Sequence, residues 1–284
     1  MILAGEKWRA GRVSLAGLFL LFFSLGPCSL PAQMSQSNQA QPQSQDEIAA
    51  VPNRPTFATT AEAVQRGVFE IEYGLEAAQG HQNINGLLKF GLFKNLELRF
   101  ANNPIERNSG IAGTGDSAAG FKWRFVSQRK QVPTLSLLYT ATLPTAANNL
   151  GAGDFGQSVQ LLVSKDFGKH HFDFNEGVQL RRRPGVGGFD RNYFTSLSWS
   201  HPLGEKQRWG LTAEIAGFSK TNGATPATLI LLGAPTYNVS PRLVLDAGAY
   251  LAVYGHLPRV TFFAGVTYAV ADLCHLAAGR KAAK

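Results

Sequence analysis

The stretch Val260–Val270 reads VTFFAGVTYAV, and every second side chain in it is apolar or aromatic. Val260, Phe262, Ala264, Val266, Tyr268 and Val270 share one face, while Thr261, Gly265 and Thr267 share the other with Phe263. A period of two sustained over this length predicts a strand long enough to cross a bilayer at a tilt.

The same alternation recurs upstream as far as Val68. It predicts strands at Val68–Ala77, Ile84–Leu92, Leu96–Asn102, Ala118–Val126, Leu135–Leu143, Gln157–Lys165, Phe172–Leu180, Tyr193–Ser200, Trp209–Phe218, Ala227–Ala234 and Leu243–Leu251, about twelve with the closing one. Glu176 interrupts the apolar face of its strand, which predicts a bulge or register change there. Connections alternate in length. Phe93–Asn95, Ser127–Val132, Asp166–Lys169, His201–Arg208 and Tyr237–Pro241 are short, as periplasmic turns are; Asn103–Ser117, Pro144–Gly156 and Arg181–Asn192 are longer and rich in Gly, Asn and Pro. Trp123, Phe125, Trp199, Trp209, Tyr237 and Tyr268 all border the short connections, where amphipathic rings form a membrane-interface girdle.

Together these patterns predict an all-β fold, a transmembrane antiparallel up-and-down β-barrel of about twelve strands at residues 61–270, followed by a tail at 271–284. Two-faced strands also fit a soluble periplasmic β-sandwich binding protein with its apolar faces inward. Strand length, loop phase and the lack of a second long apolar set favour the barrel. In a barrel the polar faces line the lumen. Glu70, Glu72 and Glu76 then lie beside Lys89, and Glu97 and Arg99 lie near Lys122 and Arg124, so adjacent strands carry complementary charge; Asp173, Glu214 and Asp246 extend the polar lining.

The N-terminal region sets the compartment. Lys7, Arg9 and Arg12 precede the apolar run Val13–Leu25, and Gly26, Pro27 and small residues lead to Ala32, the layout of a secretory signal peptide over residues 1–32. Lipoprotein processing at Cys28 is the rival reading. Residues 33–60 begin with a Gln- and Ser-rich run and read as a flexible periplasmic lead. Removing the leader takes the formal charge from +8 to about +6, but the basic residues are scattered apart from Arg181–Arg183, so nucleic acid is not an expected partner. Cys274 is the only cysteine after the leader, and no internal disulfide is expected.

The end of the closing strand, Gly265–Val270, resembles the signal that outer-membrane barrels present to their assembly machinery. Ala61–Gly74 (AEAVQRGVFEIEYG), Ser240–Gly248 (SPRLVLDAG), Gly115–Asp116–Ser117 and Leu143–Pro144–Thr145 resemble the outer-membrane protein family tied to the meta-pathway of phenol degradation. That resemblance spans most of residues 61–270 and implies an outer-membrane barrel involved in uptake or export of small, often aromatic or hydrophobic compounds. It transfers no ligand-binding residues.

An enzyme is not expected. His170 and His171 stand near Asp173, but no serine or cysteine sits in a nucleophile motif, and His81, His201, His256 and His275 lack metal-ligand spacing; no cofactor is implied. The expected function is passive passage of small solutes, with outer-membrane lipid and the assembly machinery as partners. The alternative is a plugged barrel with a structural or surface-contact role, presenting Pro144–Gly156 and Arg181–Asn192.

Overall fold

The computed structural model describes residues 48–148, 150–183, 187–222, 225–255 and 257–273. The expected signal peptide, Cys28, Cys274, His256, His275 and the residues after Leu273 lie outside them.

The strands, in chain order, are β1 (Val68–Ala78), β2 (His81–Phe93), β3 (Leu96–Asn108), β4 (Ile111–Gly113), β5 (Ser117–Val126), β6 (Thr134–Leu143), β7 (Gly156–Phe167), β8 (His170–Arg182), β9 (Phe189–Leu203), β10 (Trp209–Phe218), β11 (Thr228–Ser240), β12 (Leu243–Tyr254) and β13 (Val260–Asp272). All but β4 are the alternating segments read from the sequence. Each pairs antiparallel with its neighbours, β2 with β3 and β1 with β13, so the sheet closes on itself and leaves no long edge. The short β4 only folds back on the tip of β3. Ser109 and Gly110 between them both take positive φ, as a two-residue hairpin turn matching the strand twist requires. Part of the expected loop Asn103–Ser117 is therefore strand.

Closure decides which face is wet. Leu98, Phe121, Leu161, Leu197, Leu211, Ile215, Leu231 and Leu245 are exposed on the outside of the wall, whereas Glu70, Lys89, Glu97 and Lys122 on alternate positions are wholly buried inside. A soluble sandwich would show the reverse. Ten to fifteen residues per long strand give roughly 33–50 Å of chain at about 3.3 Å per residue, enough to cross a hydrocarbon core at barrel tilt. The rings of Trp123, Phe125, Trp209 and Tyr268 stand exposed near the short-turn end, and Trp209 packs on Tyr237 across strands at 4.7 Å between centroids. A girdle forms there as expected.

Glu176 corrects one expectation. The β7–β8 and β8–β9 ladders run through it without a shift, and its exposed side chain faces outward opposite Thr195, whose Oγ1 donates to Oε2 at 2.5 Å. A single hydroxyl replaces the bulge as the means of accommodating a carboxylate on the apolar face. Glu176→Leu is expected to stabilise the barrel by about 1–2 kcal/mol, because a carboxylate on the lipid face costs somewhat less than a mid-membrane lysine. Urea unfolding in phospholipid vesicles measures this, and a loss of stability would mean that the carboxylate has a partner outside the chain.

Candidate functional site

The lumen is not empty. Residues 48–67, of which 48–60 belong to the segment expected to be a flexible lead, run inside the barrel as an extended strap and make a circuit of the wall before β1 begins. Ala50 N–H donates to the Pro241 carbonyl at 2.9 Å in the turn between β11 and β12. Val51 N–H and Asn53 N–H donate to Glu70 (2.8 Å) and Glu72 (2.9 Å) on β1. Arg54 holds Asp246 on β12 through Nε and Nη2, both at 3.2 Å, and Asn85 on β2 through Nη1 at 3.0 Å. Phe57 and Ala58 N–H both donate to Glu214 on β10, at 2.8 and 2.6 Å. Thr59 exchanges hydrogen bonds with Asn175 on β8, and Ala61 is held by Ser164 on β7 and Ser136 on β6. Glu62 pairs with Arg124 on β5, Val64 N–H donates to Glu97 on β3, and Gly67 N–H donates to Gly91 on β2.

These contacts explain why the wall carries the side chains it does. A strap without regular secondary structure has a full set of backbone groups to satisfy, and the wall supplies acceptors where those groups fall. Glycine matters where the strap comes closest. A Cβ on Gly74 or Gly265 would lie 2.1 or 2.2 Å from the Arg54 guanidinium, so these neighbouring positions of β1 and β13 form the slot for that side chain.

The expected lumen-facing residues do line the interior, but their partners differ in part. Lys89 Nζ lies 2.5 Å from Glu70, also contacts Glu72, and donates to the Val51 carbonyl at 2.6 Å. Lys122 lies 3.4 Å from Glu97 and donates to the Thr60 carbonyl at 3.1 Å; Arg99 reaches Glu97 at 3.1 Å within its own strand. Arg124 pairs with the strap rather than across the sheet. Glu76 meets only neutral donors, Asn85 at 2.9 Å and the Tyr250 hydroxyl at 3.4 Å. Asp246, Glu214 and Asp173 are buried and inward. Sequence reasoning missed Asn53, Arg54 and Glu62. For Arg54 the signal available was the inward Asp246 on β12, whose neighbouring strands offer no inward cation; Asn53 and Glu62 had none.

One wall of the lumen is apolar. Phe194, Ala216, Ile230, Leu232, Ala234, Tyr250 and Phe263 face inward from β9 to β13, with Phe57 of the strap and Phe218 packed against them. A cavity of about 290 Å³ lies between this wall, the strap and the charged strands β1–β3. At the level of the strap, Glu70, Lys89, Glu97, Lys122, Ser136, Leu162, Asn175 and Ser196 are at most 1% exposed, so water does not reach them. The strap covers the wall there.

The histidines near Asp173 do not form a catalytic set. His171 directs Nδ1 at Asp166 (2.6 Å) and Nε2 at Asp173 (3.0 Å), leaving no ring nitrogen for a serine. Ser164 Oγ donates to Asp173 instead, at 2.5 Å. His170 accepts from Trp199 Nε1 at 3.0 Å and stacks on His201. His81 is 3.4 Å from Glu106. No group of three or more potential metal ligands occurs among the described residues.

The family model described as "Putative MetA-pathway of phenol degradation" matches residues 52–269. The chain belongs to that family. The match takes in all thirteen strands' span except the last residues of β13, and also the strap from Pro52 onward. No curated relative matches the chain. Among solved structures it is similar to the COG4313 outer membrane channel from Pseudomonas putida F1, with a TM-score of 0.59 and 13% identity over 75% of this chain and 99% of that one. It is also similar to the NanC porin, with a TM-score of 0.54 and 10% identity over 71% of this chain and 100% of the other. The KdgM porin in complex with disordered oligogalacturonate gives 0.51 and 11%, over 71% and 99%. At these identities the likeness is one of fold, that of an outer-membrane barrel.

Proposed function

We propose that this member of the phenol-degradation family is an outer-membrane channel for small, partly apolar compounds, aromatic ones among them, and that the strap is its gate. The observation that carries the reading is the pairing of a polar wall with an aromatic one around a strap whose backbone is seated by hydrogen bonds and ion pairs, with small apolar contacts at Phe57, Ala61 and Val64. Such bonds exchange for water at a net cost of about 0.5–1.5 kcal/mol each, or about 1.5–3 kcal/mol where one partner is charged, and they break one at a time, so a strap seated by them can leave segment by segment. The apolar patch from Phe194 to Phe263 supports passage of solutes with a ring or alkyl body. In this reading the protein works as a passive conduit, not a catalyst, with outer-membrane lipid around it and the assembly machinery as its partner during insertion.

A second reading is a permanently plugged barrel that acts through its external loops, and the water-free girdle at the strap favours it. One experiment separates the two. Thr60 Oγ1 and Ser164 Oγ lie 3.3 Å apart, so a Thr60→Cys/Ser164→Cys variant can be locked by oxidation. A gated channel conducts in planar bilayers as the wild type, falls silent when the variant is oxidised and recovers on reduction. Silence of the wild type and of the reduced variant alike would establish the plug. Equal current in oxidised and reduced forms would remove the strap from the pathway.

A further inference from the structure

We infer that the cavity on the long-loop side of the strap is a binding site for a small organic cation, an ammonium group carried on an aromatic or alkyl body. This goes beyond the channel reading and holds whether or not the lumen conducts.

The argument begins with charge. In and beside the cavity wall, the four cations Arg54, Arg99, Lys89 and Lys122 are balanced by the four carboxylates Asp246, Glu97, Glu70 and Glu72 that they contact. Glu76 lines the same cavity, and none of the ion pairs among the described residues includes it. Its carboxylate accepts only from Asn85 and Tyr250. Across the next two strands at the same level lies a second carboxylate, since Glu76 is opposite Asn83 and Asn83 opposite Glu106, which is partnered by His81. The uncompensated charge at the cavity is therefore negative.

The neighbours of Glu76 specify the rest of the ligand. Phe263 is its cross-strand partner on β13, Tyr250 touches it from β12, and Phe57 of the strap meets the Tyr250 ring edge-on at 5.3 Å between centroids. Tyr250 and Phe263 stack at 6.3 Å. A carboxylate beside several ring faces suits an ammonium, which gains the ion pair and the cation–π attraction together, while Leu232 and Phe57 receive the apolar body. An aryl carboxylate would instead place its charge against Glu76, and the Arg54 guanidinium is already bonded through Nε, Nη1 and Nη2 to Asp246 and Asn85. The volume of about 290 Å³ falls at the small end of ligand pockets, which suits a single ring with a short amine arm.

Calorimetric titration of the detergent-solubilised protein with phenethylammonium, benzyl alcohol and benzoate tests the site. Saturable binding of phenethylammonium is expected, at least about tenfold tighter than benzyl alcohol, with no binding of benzoate. Glu76→Gln, which keeps an acceptor for Asn85, should weaken phenethylammonium at least about tenfold and leave benzyl alcohol unchanged. Phe263→Leu should weaken both while retaining the preference for the cation. Each variant is checked first for its unheated electrophoretic mobility, which reports a closed barrel. Benzoate binding as well as the ammonium, absence of saturable ammonium binding, or an unchanged affinity in Glu76→Gln would each overturn the assignment.

Discussion

Replacing Lys89 by methionine should cost the barrel about 3–5 kcal/mol, the usual consequence of leaving a buried charge without its partner. The Lys89 ammonium is wholly buried between Glu70 and Glu72, themselves at most 2% exposed, and it also donates to the Val51 carbonyl. Methionine fills the same volume but leaves two adjacent carboxylates facing each other away from water, and removes the donor to the Val51 carbonyl of the strap. The triple variant Glu70→Gln/Glu72→Gln/Lys89→Met should recover most of the loss, because a charge-neutral set of similar shape avoids the desolvation cost. Reversible urea unfolding in vesicles, followed by tryptophan fluorescence, gives both numbers. A single-variant cost below about 1 kcal/mol would show that water enters and solvates the carboxylates, as at an exposed ion pair.

Deleting residues 48–60 should raise the time-averaged conductance by about ten- to a thousand-fold, if the open state of the intact protein is a minor conformer populated at about 0.1–10%. The deletion removes the groups that hold Glu70, Glu72, Asp246, Glu214 and Asn175, so that part of the lumen would fill with water. The barrel itself should survive, because its ladders pair strand to strand and none runs through the strap segment removed. Unheated mobility in detergent electrophoresis confirms closure before current is measured. A closed, folded deletion variant that still carried no current would mean that the constriction lies in the wall, and the strap would then be a structural filler.

These two experiments bear on the part of the molecule that was hardest to read. Every long strand was legible because lipid outside and polar groups inside impose a period of two on each crossing, and that period is local. Strand ends were less legible. The Asn103–Ser117 connection contains strand because its turn at Ser109–Gly110 lets the ladder extend, although its composition reads as loop. Glu176 violates the pattern, and a sequence reading must then choose a bulge; only the register shows that Thr195 satisfies it from the next strand.

The candidate site divides in the same way. Glu70, Lys89, Glu97 and Lys122 could be placed inside and near one another, since alternation sets the face and adjacency in a meander sets the neighbour. The strap could not. Its few large apolar residues and its prolines have the composition of a segment that stays disordered, and its partners stand 116 residues away at Asn175 and 157 at Glu214. A polar lumen reverses the ordinary rule, for a segment entering it needs hydrogen-bonding groups rather than an apolar face, and so resembles a solvated one.

The sequence by itself determined the all-β class, the membrane-facing pattern of the wall, the number of crossings and the identity of the inward charges, because each follows from contacts between a residue and its medium or its next strand. Tertiary structure alone decided that residues 48–67 occupy the lumen, that Arg54 takes Asp246 and Glu62 takes Arg124, and that Glu76 is left beside Tyr250 and Phe263. Those arrangements depend on closure, which brings strands from opposite ends of the chain around one enclosed volume, and no local pattern encodes what that volume must contain.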